Sequence, residues 1–347
     1  MKPWLTEQLI GWYDDHARTL PWRETREGYR IWLSEIILQQ TRVEQGMAYY
    51  LRFVERFPTV RDLAEASEDE VLKLWQGLGY YSRARNLHAA ARSIVACHNG
   101  IFPSTYDEIR SLRGVGPYTA AAIASLAYDL PYAVVDGNVY RVLARLFDIE
   151  TPIDTTLGQR TFATLAQELM PTDRAAAHNQ AMMEFGALHC TPTSPRCDAC
   201  PLAERCQALA NRTVAERPTK QGRTKIRDRY LNYLHLTDGR HTLLHRRSEG
   251  DIWAGLYEFP LIETASPCDF LELRQTEGFA ALLGNYPYTL RQTTPMATHQ
   301  LSHQRIHATF YLLEVSKLPT VEGVITIPHD ELDRYAIPRL IERYLLR

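Results

Sequence analysis

Three groups of residues have types and spacings that could do chemistry. The first is Glu35, the single carboxylate within Ile31-Trp32-Leu33-Ser34-Glu35-Ile36-Ile37-Leu38. At helical spacing it shares a face with Trp32 and Gln39, so it cannot simply be solvated. Burial disfavours the charged form and raises the pKa, the usual way to make a carboxyl a general acid near neutrality. The plainer alternative is a core glutamate satisfied by a hydrogen bond or an arginine. The second group is Leu112-Arg113-Gly114-Val115-Gly116-Pro117-Tyr118-Thr119-Ala120, followed by Val134-Val135-Asp136-Gly137-Asn138. Gly114 and Gly116 permit backbone angles that side chains forbid. Pro117 fits the first turn of a helix. A tight hairpin with outward N–H groups at a helix N-terminus makes an anion site. Asp136 stands alone at the mouth of the next helix, where a plain N-cap is the competing reading. The third group is Cys190, Cys197, Cys200 and Cys206, spaced C-x6-C-x2-C-x5-C. Thiolates this dense point to a metal centre rather than disulfides. Four in one short loop suit a [4Fe–4S] cluster, with a structural zinc site as the alternative.

Composition limits how such groups could be used. A chain of 347 residues suggests two domains. No apolar run approaches membrane-spanning length and the N-terminus lacks a signal core, so an intracellular, cytoplasmic protein is expected. Net charge is −2, and the basic excess is confined to Gln207–Arg229, with 7 Lys/Arg against 2 Asp/Glu. Nucleic-acid binding would therefore rest on backbone amides and a few placed cations rather than a large positive face.

The elements that must position these groups are helical up to Cys206. The patterns predict helices over 5–16, from Ile31 through Phe57, and over 60–76, 82–98, 139–147, 157–169 and 176–189. Thr19–Tyr29 is a loop carrying Trp22 and Arg23. Between two helices lies Gly77-Leu78-Gly79-Tyr80-Tyr81, whose exposed aromatic beside Arg83 and Arg85 suits wedging into a base stack. Residues 1–206 thus read as an all-α domain and 207–229 as a basic linker. Residues 230–347 read as α+β, with strands at Tyr230–Leu236, His241–Arg246, Met296–Leu301 and His307–Val315. Helices are expected near Asp269–Leu283 and 330–346. Gly255-Leu256-Tyr257-Glu258-Phe259-Pro260 resembles the approach to a Nudix box, but the acidic metal ladder downstream is missing, which argues against pyrophosphatase activity.

The hairpin with its aspartate resembles that of the helix–hairpin–helix base-excision DNA glycosylases, and the cysteine spacing is similar to the endonuclease III branch. The order of all-α domain, iron–sulfur loop, linker and Nudix-like tail resembles the adenine DNA glycosylases of MutY type along essentially the whole chain. The resemblance implies removal of adenine mispaired with 8-oxoguanine or guanine in double-stranded DNA, by a monomer. It assigns Glu35 as the acid that protonates adenine N7, Asp136 as the carboxylate that steadies the oxocarbenium sugar or traps it covalently, and Asn138 as its orienting partner. Glycoside cleavage in general needs such a protonated and ionised pair. The adenine must leave the stack, and its pocket would include Trp22, Arg23, Leu38 and Gln180. Gln40 and Tyr80 resemble the wedge residues near the orphaned base, and the amides at Gly114 and Gly116 would hold a phosphate. Bifunctional relatives carry a nucleophilic lysine where this chain has Tyr118, so no Schiff base is expected. The family's Phe-Ser-His, which reads 8-oxoguanine, is here Leu301-Ser302-His303. Two rivals are a bifunctional thymine-glycol glycosylase/lyase, opposed by Tyr118, and a non-catalytic DNA-binding iron–sulfur protein, opposed by the retention of both carboxylates.

Overall fold

Helices begin where a side-chain oxygen can take up a free backbone N–H. Ser67, Thr105, Asp136 and Thr155 accept from the amides of Glu70, Glu108, Val139 and Gly158, which starts four helices at those points. Pro117 opens a fifth, Pro117–Tyr128, whose residues Thr119 to Ala127 are all buried. A helix buried all round belongs at the centre of its domain. The computed structural model describes residues 2–222, 226–301 and 303–347. The chain divides into two compact units: Met1–Glu65 with Asn86–Gly222, and Ala66–Arg85 with Arg223–Arg347.

The first unit is helical. Lys2–His16 and Ala175–Leu188 pack with Gly137–Leu146 and Thr156–Leu169 around Leu9, Trp12, Leu143, Phe162 and Phe185. The helix expected from Ile31 through Phe57 is two, Gly28–Leu38 and Val43–Arg56. Gln40 takes φ 55° between them, and a Cβ at Gly46 would lie 2.6 Å from Leu38 Cδ2. Glycine there lets the second helix fold back tightly on the first, so one continuous apolar period runs across a sharp turn. The stretch expected over 60–76 is likewise broken, by the Ser67 cap, into Val60–Glu65 and Glu68–Trp75. Residues 207–222 are built into this unit. Arg217 is buried in ion pairs with Asp148 (2.9 Å) and Glu150 (2.8 Å), and Asp154 accepts from the amides of Gln221 and Gly222. Among the described residues, the most buried cation of the basic stretch is thus spent inside the protein.

The second unit carries one mixed sheet of strands β1 (Arg227–Thr237), β2 (His241–Arg246), β3 (Tyr257–Glu258), β4 (Leu261–Thr264), β5 (Tyr288–Pro295), β6 (His299–Gln300), β7 (Gln304–Val315) and β8 (Val324–Pro328). The main order is β3-β2-β1-β7-β5, with β4 on β1, β6 on β7 and β8 on β2. β1 and β7 run parallel from Arg227↔Gln304 to Thr237↔Glu314. Alternate residues feed two cores: Leu231, Tyr233 and Phe310 on one face, Leu234, Leu236 and Leu313 on the other. The strand expected at Met296–Leu301 shrinks to β6, and β5 takes the place beside β7. The helix expected near Asp269–Leu283 breaks at the Thr276 cap into Phe270–Leu273 and Glu277–Leu283. The last one splits into a 3-10 turn, His329–Arg334, and the helix Arg339–Leu345, with Pro338 between them.

Sequence order groups residues 66–85 with the helices, yet they cluster with the sheet. Lys73 Nζ donates to the Tyr335 carbonyl at 3.1 Å, Gln76 Oε1 accepts from the Ile337 amide, and Arg246 pairs with Glu68 and Asp69, both at 3.0 Å.

Candidate active site

Four helices of the first unit deliver their ends or faces to one cavity of about 570 Å3, within the ~300–1,000 Å3 range of small-molecule sites. Gly28–Leu38 supplies Glu35 and Leu38, with Gln40 just beyond its end. Pro117–Tyr128 supplies Tyr118 from its first turn. Gly137–Leu146 supplies its cap Asp136 together with Asn138, and Ala175–Leu188 supplies Gln180 and Glu184. The short turn Pro21–Arg23 adds Trp22 and Arg23. Every residue that the sequence reading assigned to the carboxylate pair, to its partners and to the base pocket therefore lines a single space.

The electrostatics of the two acids differ. Burial pushes the Glu35 carboxyl up to about 7; the Tyr118 hydroxyl, which donates to it, opposes that rise, and the Asp136 charge adds to it. Burial also raises Asp136, but there the ionised form is held by specific donors. Val139 N–H donates to Oδ1 at 2.7 Å and the Asn138 amide donates to Oδ2 at 2.8 Å. The first acid is suited to carry a proton near neutral pH and the second to remain an anion. N-cap and functional readings of Asp136 do not compete, since one oxygen caps the helix and the residue still lines the cavity.

One wall is a charge network that the sequence reading missed. Glu184 accepts from Arg18 Nε (2.8 Å) and Nη2 (2.7 Å) and from Arg23 Nη2 (2.7 Å), while Arg23 Nε donates to Gln180 Oε1 at 3.0 Å. Burial alone would raise the Glu184 carboxyl, but these arginines overcome it and hold it at about 2. A carboxylate inside Met182-Met183-Glu184-Phe185 gave the same signal as Glu35, and it is the paired acid of the two.

A second omission is Arg141. Its Nη2 donates to Asn138 Oδ1 at 2.9 Å and its Nε to the Cys190 carbonyl at 2.6 Å. Asn138 in turn holds Asp136, so three side chains link the cysteine loop to the cavity. Arg145, also buried, donates to Cys190 Sγ at 3.4 Å and to the Thr191 carbonyl at 2.7 Å. The four thiols of Cys190, Cys197, Cys200 and Cys206 act electrostatically on one another, and burial raises Cys200 to about 11. Four half-buried thiols with a guanidinium on one sulfur are a donor set that fits a cluster able to hold them as thiolates.

The remaining assigned residues lie elsewhere. In the hairpin between Tyr106–Ser111 and Pro117–Tyr128, Gly114 has φ 80° and sits against Asn86. Gly116, by contrast, has φ −84°, an angle open to any residue, so the expected backbone reason fails there. A Cβ on it would meet nothing within 4 Å, so the glycine faces open space. Tyr80 and His303 line a separate cavity of the second unit, about 540 Å3. Ser302 lies outside the described residues.

Residues 33–167 match the HhH-GPD superfamily base excision DNA repair proteins, 190–206 the iron-sulfur binding domain of endonuclease III, and 232–347 the NUDIX domain. An adenine DNA glycosylase of Arabidopsis thaliana is 38% identical over 73% of this chain, which spans 46% of that relative's length. One from Buchnera aphidicola subsp. Baizongia pistaciae is 35% identical over 73% of this chain and 72% of its own length. One from Schizosaccharomyces pombe is 31% identical over 96% and 87%. Among solved structures, a thermostable thymine-DNA glycosylase superposes with TM-score 0.55 at 28% identity, covering 59% of this chain and 95% of its own. A non-covalent endonuclease III–DNA complex gives 0.52 at 25%, covering 60% and 94%. An iron–sulfur loop, a helix–hairpin–helix unit and a Nudix-like tail in one chain, with relatives at these identities, make the assignment: this chain belongs to the adenine DNA glycosylase family.

Proposed function

We propose that this chain binds double-stranded DNA and hydrolytically releases adenine mispaired with 8-oxoguanine or guanine, leaving an abasic site. The observation that carries the reading is the carboxyl pair in one cavity, with Glu35 near neutrality and Asp136 held by donors. Glu35 gives its proton to N7 of the flipped base, which leaves as a neutral species. The Asp136 carboxylate faces the positive charge that grows on the sugar, and Asn138 keeps it aimed. Trp22, Arg23, Leu38 and Gln180 bound the base. Gln40 and Tyr80 act beside the orphaned partner, Ser302 and His303 read it, and the amides at Gly114 and Gly116 hold a phosphate, for which the open front of Gly116 leaves room.

Residues 1–206 serve as the catalytic domain, 207–229 as the connection and 230–347 as the reader of the opposite base. Cys190, Cys197, Cys200 and Cys206 hold a [4Fe–4S] cluster, which fixes their loop. The protein acts inside the cell as a monomer; no helix among the described residues is long and apolar enough to cross a membrane.

Duplexes with adenine opposite 8-oxoguanine, guanine or thymine test the activity. Adenine release from the first two without strand nicking is expected; nicking by the enzyme alone, or no release, overturns the reading. Tyr118→Lys brings an amine beside Glu35, and borohydride then traps a protein–DNA adduct that the unaltered enzyme does not give. Ser302→Ala with His303→Ala reduces the preference for 8-oxoguanine over guanine by roughly tenfold to a hundredfold, the worth of one or two hydrogen bonds. Relative single-turnover rates decide this, and an unchanged preference removes both residues from the reading role.

A further inference from the structure

The second unit carries a cationic ridge to which nothing above assigns a role. Arg339, Arg343 and Arg347 recur at intervals of four along the last helix, Arg339–Leu345, and just past its end. All three are exposed. The opposite face is fixed: Leu340 and Ile341 are buried, and the Tyr344 ring stacks on Phe310 at 4.0 Å while its hydroxyl bonds to His235 Nδ1 at 2.9 Å. The helix cannot roll, so its arginines point one way as a set. Arg347 touches the Pro295 carbonyl. Among the described residues no carboxylate is paired with Arg339 or Arg343. Glu342, between them in sequence, contributes to the electrostatics of Lys73, and Arg334, the last residue of the 3-10 turn, is engaged by Glu331.

Arg339 also lines the cavity that holds Tyr80, Trp253, His299, Leu301 and His303. His299, in the same cavity, is held below the usual histidine range by burial first, then by Arg343 and Arg339. The acidic residue of that cavity, Asp251, is already committed to Arg229 and Arg247. An aromatic-walled space lined by Arg339, with Arg343 one turn further along the same helix and neither in an ion pair among the described residues, matches a nucleic-acid strand, whose bases stack and whose phosphates alternate with them.

We propose that this helix face is a phosphate track, on which Arg339 and Arg343 each neutralise one phosphate of the strand opposite the excised adenine. The proposal rests on the DNA-repair reading above and extends it to a contact surface in the second unit. It also answers the difficulty posed by a near-neutral chain, because binding needs only a few well-placed cations when they are rigid and unpaired.

The test is the salt dependence of binding by the full chain. The probe is a duplex with a tetrahydrofuran abasic analogue opposite 8-oxoguanine. Arg339→Gln with Arg343→Gln should lower the slope of log K against log salt by roughly 1.8, about 0.9 for each phosphate lost. Each single variant should lower it by about half as much, and Arg339→Lys with Arg343→Lys should retain the wild-type slope. Arg274→Gln, an exposed arginine remote in sequence, controls for net charge and should leave the slope alone. An unchanged slope in the double glutamine variant, or an equal loss in Arg274→Gln, overturns the track. Should the double variant not fold, unchanged slopes in both single variants overturn it equally. If the wild type excises adenine while the glutamine variants show no such loss, the ridge alone fails; a wild type that neither binds nor excises sinks the functional reading instead.

Discussion

Replacing Glu35 with glutamine lowers the single-turnover rate of adenine release by roughly 10²–10⁴-fold, the span that a positioned general acid contributes. The amide keeps the shape of the carboxyl and cannot supply the proton, so binding of mispaired duplex should persist. In the unaltered enzyme the rate should fall as pH rises through about 7, where Glu35 loses its proton. The same group leaves a mark on stability. A carboxyl with a folded pKa above its unfolded value contributes stability that is fully present below about 4.5 and is lost as pH rises through about 7. A shift of that size corresponds to on the order of 3 kcal/mol. Glutamine has no such dependence, so the melting temperature of Glu35→Gln relative to wild type should climb between pH 5 and pH 8. Release within tenfold of wild type would remove Glu35 from its role, and a pH-independent melting difference would contradict its burial as a neutral acid.

Arg141→Gln should cost more than its distance from the reacting bond suggests. The guanidinium satisfies Asn138 Oδ1 and the carbonyls of Gly137, Gly186 and Cys190 at once. Glutamine can reach a fraction of these, and buried acceptors left bare cost about 1–3 kcal/mol each, so a loss of about 3 kcal/mol or more is expected. Asn138, freed on one side, no longer holds Asp136, and the release rate should drop about 10- to 100-fold in protein that still folds. Arg141→Lys should not rescue it, because a single ammonium cannot replace a planar fork. Thermal melting, iron content and single-turnover rates on one preparation separate these effects. Normal iron, melting and rate together would mean that the link between loop and cavity is incidental.

That Glu35 and Asp136 line one cavity was foreshadowed in the sequence because their signals are local. An acid within an apolar run, a Gly-x-Gly-Pro turn and an aspartate before a helical period can each be read within ten residues. Glu184 carried the same local signal, but its meaning depended on Arg18 and Arg23, more than a hundred and fifty residues away. Pattern alone cannot tell an acid kept neutral from one kept charged. Breaks such as Gln40 were hidden because the apolar period stays in phase across the turn. β5 was hidden for the opposite reason: its Thr289, Leu290, Arg291, Gln292 and Thr293 are all exposed, so no alternation marks it. The failed reason for Gly116 is of a third kind, since its cause is the space in front of it rather than its own backbone angle.

The grouping of Ala66–Arg85 with the sheet bears on how this chain is made. The ribosome delivers that segment long before Arg246, Ala254, Tyr335 and Ile337, the residues it bonds to. At roughly 5–20 residues per second the wait is on the order of ten seconds or more. During that time Leu72, fully buried in the finished protein, lacks the Gly255 loop it packs against. The early helices thus emerge with a span in their midst, the helix Glu68–Trp75, that is completed only once the second half of the message is read.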